Sequence, residues 1–566
     1  MKKRLWATLH PFFEDGDVLG RKVANAGFLQ GLLRVDPFDQ YHFFLPDPTM
    51  KGSLETLLRD RFPALAARGA FRLGLRQELP GAVEQEEYAA FHLSDCIEDT
   101  VPLMRLRNAL AKNIFPLTGV THSLSYERFM PAYLRLLWPG TCGRDALVAT
   151  SRSAAAMLAA TFEGLRQGYG LDTANFPSPR VDIIPLGVEA QDFPQEDDRH
   201  AASSGGLGRD MRAKLGIEDE EVMFLCLARI SPYSKMDILP ALAACARAKV
   251  LGLTPKSFCL VLAGWVEDNS SLPATLSDYA KALGIRLLPF LRPTDSERFA
   301  LYAAADVFLS PSDNIQETFG LTLLEAGASG LPVIATDFDG YRDIVRHEET
   351  GLLIPCSGFV DTAETNALAG IWQDNQYHLR LAQQTAVDVP ALAQAIFFMA
   401  NNAEARRAMG RAGEKRVREY FSWDAVIRRY VALWEDLANV MLSGEEEARL
   451  RVCNHPLRMD FGAFFRGHFS AGPDMAKCLL RRSITGDALY RGEIPPLRYA
   501  GMEMMVKDED IRHLLVAARK PVSAASLMEK LAGIASDPVR RERAQLLVLW
   551  ALKHDYLEKI DSASSG

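Results

Sequence analysis

Two acidic residues, Glu317 and Glu325, stand eight positions apart in the string PSDNIQETFGLTLLEAGASGLPVIA at 311–335. If a helix begins near Phe319, a rise of 1.5 Å per residue separates the two carboxylates by roughly 12 Å, about the distance from the sugar ring to the ribose of an extended nucleotide-sugar. At 3.6 residues per turn they also lie within about 80° of each other around the helix axis. One carboxylate could therefore hold hydroxyl groups at each end of such a ligand.

The first turn of this helix would present backbone N–H groups that have no partner within the helix. Those N–H groups belong to Phe319, Gly320, Leu321 and Thr322. Together with the helix dipole they would face a diphosphate placed between the two carboxylates. Glycine at 320 would let a phosphate approach the backbone closely.

Two basic residues follow another expected strand, in LARISPYSKMD at 227–237. The strand ends at Ala228, so Arg229 and Lys235 project from the loop and the helix start behind it. Arginine is a planar clamp for phosphate oxygens and lysine a compact point charge. Fixed in a dry cleft, such groups stabilise negative charge on a leaving diphosphate. The alternative interpretation is a basic pair on the surface.

These strings as a whole resemble the E-x7-E region of the retaining GT-B glycosyltransferases, a family 4-like group, and the resemblance covers roughly residues 1 to 440. It implies that Glu325 accepts hydrogen bonds from the ribose hydroxyls and that Glu317 holds the hydroxyls of the donor sugar. It also implies that Arg229 and Lys235 grip the diphosphate. Both carboxylates are expected to be ionised, with their pKa held down by these basic groups.

The resemblance extends to the N-terminal half. His122, in GVTHSLSYE, matches a family histidine that reaches the donor sugar, and His92, in FHLSD, occupies a similar strand end and could face the acceptor. Gly20, just before an expected helix at 21–34, is the best counterpart of the family's glycine loop, and Arg21 could add charge there. For either histidine, a structural role in the core is the alternative.

Short apolar runs alternate with helical patterns along most of the chain, which predicts an α/β fold built from parallel units. The candidate strands are 4–9, 41–45, 89–92, 119–121, 146–150 and 181–184, then 222–228, 258–263, 285–289, 307–309 and 332–335. The resemblance implies the GT-B architecture, in which two Rossmann-like domains face each other across a cleft.

Four regions are expected. Residues 1–190 form an N-terminal Rossmann-like domain on the acceptor side, and 191–425 form a C-terminal Rossmann-like domain that binds the nucleotide-sugar. Residues 195–208 are small and polar, which indicates a linker or surface loop. Residues 426–440 form a crossover helix that packs back on the first domain. Residues 450–566 form a mainly helical appendage with a distant likeness to a winged-helix or peptide-recognition module.

Composition narrows the class of protein. A length of 566 residues predicts two or three domains, and a net charge of −8 argues against a nucleic-acid partner. Eight scattered cysteines without a C-x-x-C pair indicate reduced thiols in a cytoplasmic protein and no zinc site. No run reaches the ~18 apolar residues of a membrane span, and the N-terminus reads as a strand rather than a signal peptide.

The activity implied is transfer of a sugar from a nucleotide-sugar to an acceptor hydroxyl, with retention of anomeric configuration. UDP-, GDP- and ADP-linked donors stay open, as do glycan, lipid, peptide and small-molecule acceptors. No metal and no tightly bound cofactor is expected, because the basic pair and the helix end already offset the diphosphate charge and no Asp-x-Asp motif is present. One alternative is a catalytically silent GT-B scaffold that recruits a partner through its appendage. An epimerase or a phosphorolytic enzyme would need residues that the chain lacks.

Two further partners stay open at this point. A basic run in the first domain is either a solvated face or a surface for a membrane or an anionic acceptor. Its members are Arg59, Arg61, Arg68, Arg72 and Arg76. The first interpretation places the protein in the cytoplasm and the second at the inner face of the membrane. The appendage could also join two copies of the chain.

Overall fold

The structure is a computed structural model that describes residues 3–13, 20–194, 206–254, 256–268, 270–469, 477–499, 501–502, 505–533 and 538–560. The chain divides into a main unit, residues 1–455, and a C-terminal unit, residues 456–566. Among its described residues the main unit contains two large parallel sheets, each the centre of its own α/β domain, and one short antiparallel pair of strands. Most of the predicted linker at 195–208 lies outside the described residues.

The first domain is built on a seven-stranded sheet in the order β3-β2-β1-β4-β5-β6-β7, in which every pairing is parallel. The strands are β1 Leu5–Thr8, β2 Gln40–Leu45, β3 Phe71–Leu75, β4 Tyr88–Leu93, β5 Leu117–Val120, β6 Asp145–Ala149 and β7 Arg180–Ile183. The central strands are buried almost throughout, as expected of a parallel sheet covered by helices.

Seven helices belong to this domain. They are α1 Gly20–Val35, α2 Pro48–Arg61, α3 Pro63–Ala67, α4 Leu79–Gln85, α5 Thr100–Leu110, α6 Met130–Leu136 and α7 Arg152–Tyr169. Helix α7 begins where the sequence predicts, because the Ser151 side chain accepts a hydrogen bond from the N–H of Ala154 at 3.0 Å.

The second domain is built on a six-stranded parallel sheet in the order β10-β9-β8-β11-β12-β13. Its strands are β8 Val222–Leu227, β9 Phe258–Gly264, β10 Leu287–Leu291, β11 Val307–Ser310, β12 Val333–Thr336 and β13 Gly351–Ile354. The strand order reverses between β8 and β11, as it does between β1 and β4 in the first sheet. Ligands of open α/β sheets bind outside the carboxyl ends of the strands at such a switch point.

The helices of this domain are α8 Leu207–Leu215, α9 Leu239–Val250, α10 Leu272–Ala282, α11 Asp295–Ala304, α12 Leu321–Ala328, α13 Tyr341–Ile344, α14 Ala363–Ala369, α15 Asp374–Ala382, α16 Val389–Asn401 and α17 Ala403–Arg416. Helices α14 and α15 lie between the two short strands of an antiparallel pair, β14 Cys356–Ser357 and β15 Ala386–Val387.

Helix α18, Trp423–Asn439, follows the second domain in sequence but contributes to the core of the first. Its first residue packs against α1 so closely that a Cβ atom at Gly27 would lie 2.3 Å from the Trp423 indole nitrogen. The chain crosses from one domain to the other twice. The two crossings lie side by side, because Val188 forms a β-bridge with Ser422, the residue before α18. After a non-helical stretch at 440–443 follows α19, Gly444–Val452, which is held by hydrogen bonds from Arg451 to carbonyls around the end of α5.

The C-terminal unit has a small three-stranded antiparallel sheet with β16 at its centre. The strands are β16 Leu479–Arg482, β17 Val522–Ser523 and β18 Leu557–Ile560, and the helices are α20 Phe461–Phe464, α21 Ile484–Tyr490, α22 Asp508–Ala517, α23 Ala524–Ala532 and α24 Pro538–Lys553. The unit begins at residue 456 rather than at the predicted 450, because 444–455 pack on the main unit, where His455 bonds to the carbonyl of Arg135 at 2.9 Å.

The predicted fold class, two Rossmann-like α/β domains followed by a mainly helical region, is confirmed by these sheets. In the two parallel sheets, the strands that the sequence did not predict are the edge strands β3 and β13. Each of them lies next to charged or turn residues. Among the described residues, no helix combines the length and the apolar character needed to span a lipid bilayer.

Candidate functional site

The carboxyl ends of β8, β11 and β12 bring together a lysine, a glutamate and a tyrosine. The Lys235 ammonium forms an ion pair with the Glu317 carboxylate, in which the two side chains are 18% and 10% exposed. The Tyr341 hydroxyl donates to the same carboxylate at 3.2 Å and also meets the Ser310 hydroxyl at 2.8 Å. Arg229 stands at the edge of this group, where its guanidinium donates to the Ser234 hydroxyl at 3.2 Å.

Helix α12 begins at Leu321, two residues later than the sequence predicts. Gly320 precedes it with φ at +109°, a backbone conformation that ends the preceding turn and that non-glycine residues rarely adopt. Glu317 therefore lies in the turn before the helix, and the rise and angle worked out from an ideal helix do not describe the two carboxylates. The Phe319 N–H points back to the Glu317 carboxylate at 3.4 Å, so it is not one of the N–H groups at the helix start.

The reason for glycine at 320 also differs from the predicted one. A Cβ atom at this position would lie 2.5 Å from the Tyr341 ring, so the close approach is made by a tyrosine of the protein itself. The tyrosine ring thus fixes the turn, and its hydroxyl reaches the Glu317 carboxylate from the same position.

Glu325 lies within α12 and is held at both carboxylate oxygens. Arg298 of α11 donates to Oε1 at 2.6 Å, and the Tyr302 hydroxyl donates to Oε2 at 2.7 Å. The carboxylate is 9% exposed. Because each carboxylate oxygen has two lone pairs, both oxygens can still accept a further hydrogen bond.

Burial and neighbouring charges shift the pKa values of three groups in the site. Burial alone would raise the pKa of Glu317, but the Lys235 ammonium and the hydrogen bonds to this carboxylate hold the pKa below its ordinary value. Burial works against the ammonium of Lys235 too, yet Glu317 raises the pKa of this lysine. Asp339 lies nearby, and burial together with the charge of Glu317 raises its pKa to about 7.

The first domain contributes the opposite side of the cleft. Gly20, the first residue of α1, lies against Leu321, the first residue of α12, such that a Cβ atom on Gly20 would stand 4.0 Å from the leucine Cδ1. The N-termini of two helices from different domains therefore meet here. At a second crossing, the Ser151 hydroxyl donates to the Asp339 carboxyl at 3.3 Å. Arg21 follows on α1 and is exposed.

His122 lies just after β5, at the edge of the first sheet. Its Nε2 is 2.8 Å from the carbonyl oxygen of Ser94, which follows β4. Four residues further on, the Tyr126 hydroxyl accepts a hydrogen bond from the Gln316 amide, directly before Glu317. The loop that carries His122 is thus tied to the loop that carries Glu317.

The prediction that His92 faces an acceptor is wrong. Its side chain is completely buried within β4. The ring packs against Phe28 of α1 in a tilted arrangement and against Tyr430 of α18 edge to face. Its Nδ1 lies 2.8 Å from the Thr118 hydroxyl. Burial lowers the pKa of His92 to about 3, so the ring stays neutral in the core.

The arginine run of the first domain is largely neutralised by neighbouring acids. Arg68 pairs with Asp36 at 2.5 Å and Arg76 with Asp99 at 2.7 Å. The remaining ion pairs of the run are Arg59 with Glu55 and Arg72 with Glu86, and Arg61 lies over the ring of Phe13. The run is therefore a set of local ion pairs along several elements.

Polar atoms without partners gather where the two domains meet. Among the described residues, several buried side-chain oxygens that follow β5, β6 and β11 or lie in the first turn of α12 accept and donate no hydrogen bond. They belong to Thr121, Ser125, Thr150, Gln316 and Thr322. Buried polar atoms are normally satisfied, so these five side chains are candidates for contact with a polar ligand.

Sequence reasoning missed the residues that hold the two glutamates. Tyr341, which holds Glu317, is not among the residues that the sequence singles out. A signal was present, since β11 and β12 are neighbouring parallel strands whose carboxyl ends must meet at one edge of the sheet. Arg298 and Tyr302 gave no such signal, because only the packing of α11 beside α12 brings them to Glu325.

The fold and the site together define a two-domain α/β protein of the GT-B class, with its polar residues at the cleft between the domains. A family model described as glycosyl transferases group 1 matches residues 209–386, which include Arg229, Lys235, Glu317 and Glu325. This segment is thus similar to the group 1 glycosyl transferases, in agreement with the resemblance found in the sequence.

Named relatives agree with this assignment. The D-inositol 3-phosphate glycosyltransferase of Rhodococcus erythropolis is 33% identical over 214 residues, 38% of this chain and 44% of that protein. The protein of the same name from Geodermatophilus obscurus is 29% identical over 308 residues, 54% of this chain and 57% of that protein. The chain thus spans about half the length of the curated relatives it matches.

A solved structure supports the fold. The crystal structure of a glycosyltransferase from Rickettsia africae has a TM-score of 0.50 and 14% identity, and the match covers 78% of this chain and 100% of that one. At this identity the likeness concerns the fold alone.

Proposed function

We propose that the protein transfers a sugar from a nucleotide-sugar to an acceptor hydroxyl, in the cleft between its two α/β domains. The observation that carries this proposal is the meeting of the two helix N-termini at Gly20 and Leu321. Glu317, which pairs with Lys235, lies in the turn before the second of these helices, and Glu325 lies within it. Helix N-termini favour anions, and a diphosphate is the anion that joins a sugar to a nucleoside.

The diphosphate is bound by Arg229, Lys235 and the N–H groups of Gly320, Leu321 and Thr322. The guanidinium, the ammonium and the N–H groups are held in place where negative charge develops on the leaving group. Because they need not reorganise during the reaction, they lower the barrier more than mobile water would. When a diphosphate binds, the Lys235 ammonium bridges it to Glu317. The Thr322 hydroxyl, buried without a partner in the free protein, gains one from the ligand.

Glu325 accepts hydrogen bonds from the two ribose hydroxyls. Arg298 and Tyr302 fix its carboxylate from behind, so the remaining lone pairs are held in one orientation. Thermal stabilisation by UDP, GDP and ADP distinguishes uracil, guanine and adenine as the base of the donor.

Glu317 lies beside the donor sugar, where its carboxylate holds sugar hydroxyls and faces the positive charge of the transition state. The reaction proceeds with retention, by attack of the acceptor on the face from which the diphosphate leaves. The leaving phosphate oxygen takes the acceptor proton, so no separate general base is required. His122 is the residue of the first domain that contacts the donor sugar.

The acceptor is a hydroxyl compound bound on the side of the first domain. The relatives named above are called D-inositol 3-phosphate glycosyltransferases, which makes a polyol phosphate a reasonable first acceptor to try. Other glycans, lipids and small molecules form the rest of the panel.

Thermal stabilisation by ligands tests the donor site. Wild type, Glu325→Gln and a control, Glu404→Gln on the exposed start of α17, are heated with UDP, GDP or ADP and with the corresponding sugars. A ligand at about a hundred times its dissociation constant adds about 2.7 kcal/mol, enough to raise Tm by several degrees. We expect one base to stabilise the wild type and the control, and to act less on Glu325→Gln. No stabilisation by any nucleotide contradicts the proposal and favours a silent scaffold.

A further inference from the structure

The switch point of the first sheet carries a chain of hydrogen bonds that the proposed donor site does not use. Three residues that follow adjacent strands take part: His10 after β1, Ser94 after β4 and His122 after β5. Asp99, at the start of α5, lies behind them. We propose that Asp99 and His10 act through the Ser94 backbone as positioning residues for His122 in sugar transfer. This inference rests on the function proposed above.

The contacts fix the proton positions on His10. The Ser94 N–H lies 3.0 Å from His10 Nδ1, and an N–H can only donate, so Nδ1 is the acceptor nitrogen. The Ser94 hydroxyl lies 2.9 Å from the same nitrogen. The proton of the neutral ring is therefore on Nε2, which lies 3.0 Å from the Asp99 carboxylate.

The same reasoning fixes His122. Its Nε2 lies 2.8 Å from the Ser94 carbonyl oxygen, and a carbonyl can only accept, so this nitrogen carries a proton. In the neutral ring Nδ1 is then the acceptor nitrogen. One peptide group, that of Ser94, thus links the two rings: its N–H bonds to His10 and its C=O to His122.

Asp99 supplies the fixed charge at the far end of the chain. The hydrogen bond from His10, together with the charge of Arg76 at 2.7 Å, outweighs its burial and holds the pKa of Asp99 below its ordinary value. Hydrogen bonds in series polarise one another, so a carboxylate at one end strengthens each bond of the chain. His122 is thereby held in one orientation and one tautomer.

The chemical consequence concerns a substrate hydroxyl. A histidine held in one tautomer and one orientation keeps a fixed geometry towards the O–H of a sugar or of an acceptor alcohol. The His10 and Asp99 side chains, 16% and 18% exposed, act behind His122 and do not themselves bind the substrate. Orienting groups of this kind affect the rate more than the affinity.

The test uses donor hydrolysis, which needs no knowledge of the acceptor. Release of nucleoside diphosphate from UDP-glucose, GDP-mannose and ADP-glucose is measured for the full chain as wild type, His10→Ala, His10→Asn and Asp99→Asn. His513→Ala, on an exposed position of the C-terminal unit, is the control. Asparagine places its amide oxygen where His10 Nδ1 stands, so it can still accept the Ser94 N–H, whereas alanine cannot.

We expect kcat to fall about tenfold in His10→Ala and Asp99→Asn, which corresponds to about 1.4 kcal/mol. The donor KM and the stabilisation by nucleoside diphosphate should stay within about twofold, because orientation affects kcat more than binding. His10→Asn should regain part of the lost kcat, because it restores the acceptor for the Ser94 N–H but not the bond to Asp99. The control should match wild type.

Three results overturn the inference: an unchanged kcat in both variants, an asparagine variant no faster than the alanine one, or a parallel loss of nucleotide stabilisation. The last would mean that the residues only support the fold. If wild type hydrolyses none of the three donors and binds none of their nucleotides, the proposed function itself fails. If it hydrolyses one of them, the variants test only the positioning roles of Asp99 and His10.

Discussion

The Lys235–Glu317 ion pair can be tested by a double-mutant cycle on stability. Glu317→Gln leaves a buried ammonium and Lys235→Met leaves a buried carboxylate, which keeps the hydroxyl of Tyr341 at 3.2 Å. Removal of one partner of a buried pair costs about 3–5 kcal/mol when the pair is fully enclosed. Since these side chains are 18% and 10% exposed, we expect each single variant to lose about 2–3 kcal/mol of the free energy of unfolding.

The double variant should be more stable than either single variant. Replacement of both charges by uncharged side chains of similar size is often close to neutral, so we expect a loss of about 1 kcal/mol. For a domain of this size 1 kcal/mol moves Tm by about 2–4 °C, which predicts a drop of roughly 5–10 °C for each single variant and about 2–4 °C for the double variant. Differential scanning calorimetry without nucleotide gives these values.

The pH dependence provides a second check. The pKa of Glu317 is lowered from its ordinary 4.5, so its contribution is complete above pH 4.5 and is lost as pH falls through the folded value. The pKa of Lys235 is raised from 10.5, so its contribution is complete below pH 10.5 and is lost as pH rises through the folded value. The difference between wild type and double variant should therefore be constant from about pH 7 to 10.5, above the range in which Asp339 responds to the charge of Glu317. A double variant that loses as much as the two single variants combined would refute the argument.

Three further predictions concern glycines and a buried acid. Gly320→Ala should cost at least about 1–2 kcal/mol, because φ is +109° and the new Cβ would meet the Tyr341 ring at 2.5 Å. Gly27→Ala should cost about 1–3 kcal/mol through overlap with Trp423 and should loosen α18, measured as faster amide exchange in that helix. Asp339 has a pKa raised from 3.8 to about 7, so the folded state keeps its proton while the unfolded state loses it. Its presence lowers stability as pH rises from 4 to 7, and Asp339→Asn should gain at least about 1.4 kcal/mol over wild type across that range, seen as a rising difference in Tm.

Matched controls exist for each of these. Gly444→Ala and Gly164→Ala place the same methyl group where no atom lies within 4 Å, so both should be neutral or slightly stabilising. Asp278→Asn, on an exposed helix position, is the matched change from carboxyl to amide. Equal losses in the glycine controls, or a flat pH profile for Asp339→Asn, would contradict the reasoning.

The sequence predicts best where a residue directly follows a strand within one continuous string. Arg229, Lys235 and Glu317 all lie in such strings, and the structure brings the last two into contact. Parallel strands place their carboxyl ends at one edge, so position after a strand predicts position in space. The two sheets were found for the same reason, since their apolar strands are regularly spaced.

Prediction fails where the position of a side chain depends on which face of a strand it occupies or on a helix that is distant in sequence. His92 lies inside β4, and whether its ring faces a cleft or a covering helix depends on α1 and α18, which the strand itself does not reveal. The helix start was misplaced because Gly320 adopts positive φ, and that follows from the ring of Tyr341 more than twenty residues later. Arg298 reaches Glu325 only through helix packing.

The path of α18 bears on how the chain is made. Residues 423–439 complete the core around Trp6 and Phe28, yet they leave the ribosome more than 230 residues after the last strand of the first sheet. At about 5–20 residues per second this leaves roughly 10–50 s during which the face of α1 that receives Trp423 has no cover. The first domain is thus the first to be synthesised and among the last to be finished. A nascent chain that stops before 423 should expose this apolar face to chaperones, and a fragment that ends at 190 should not fold to the native first domain.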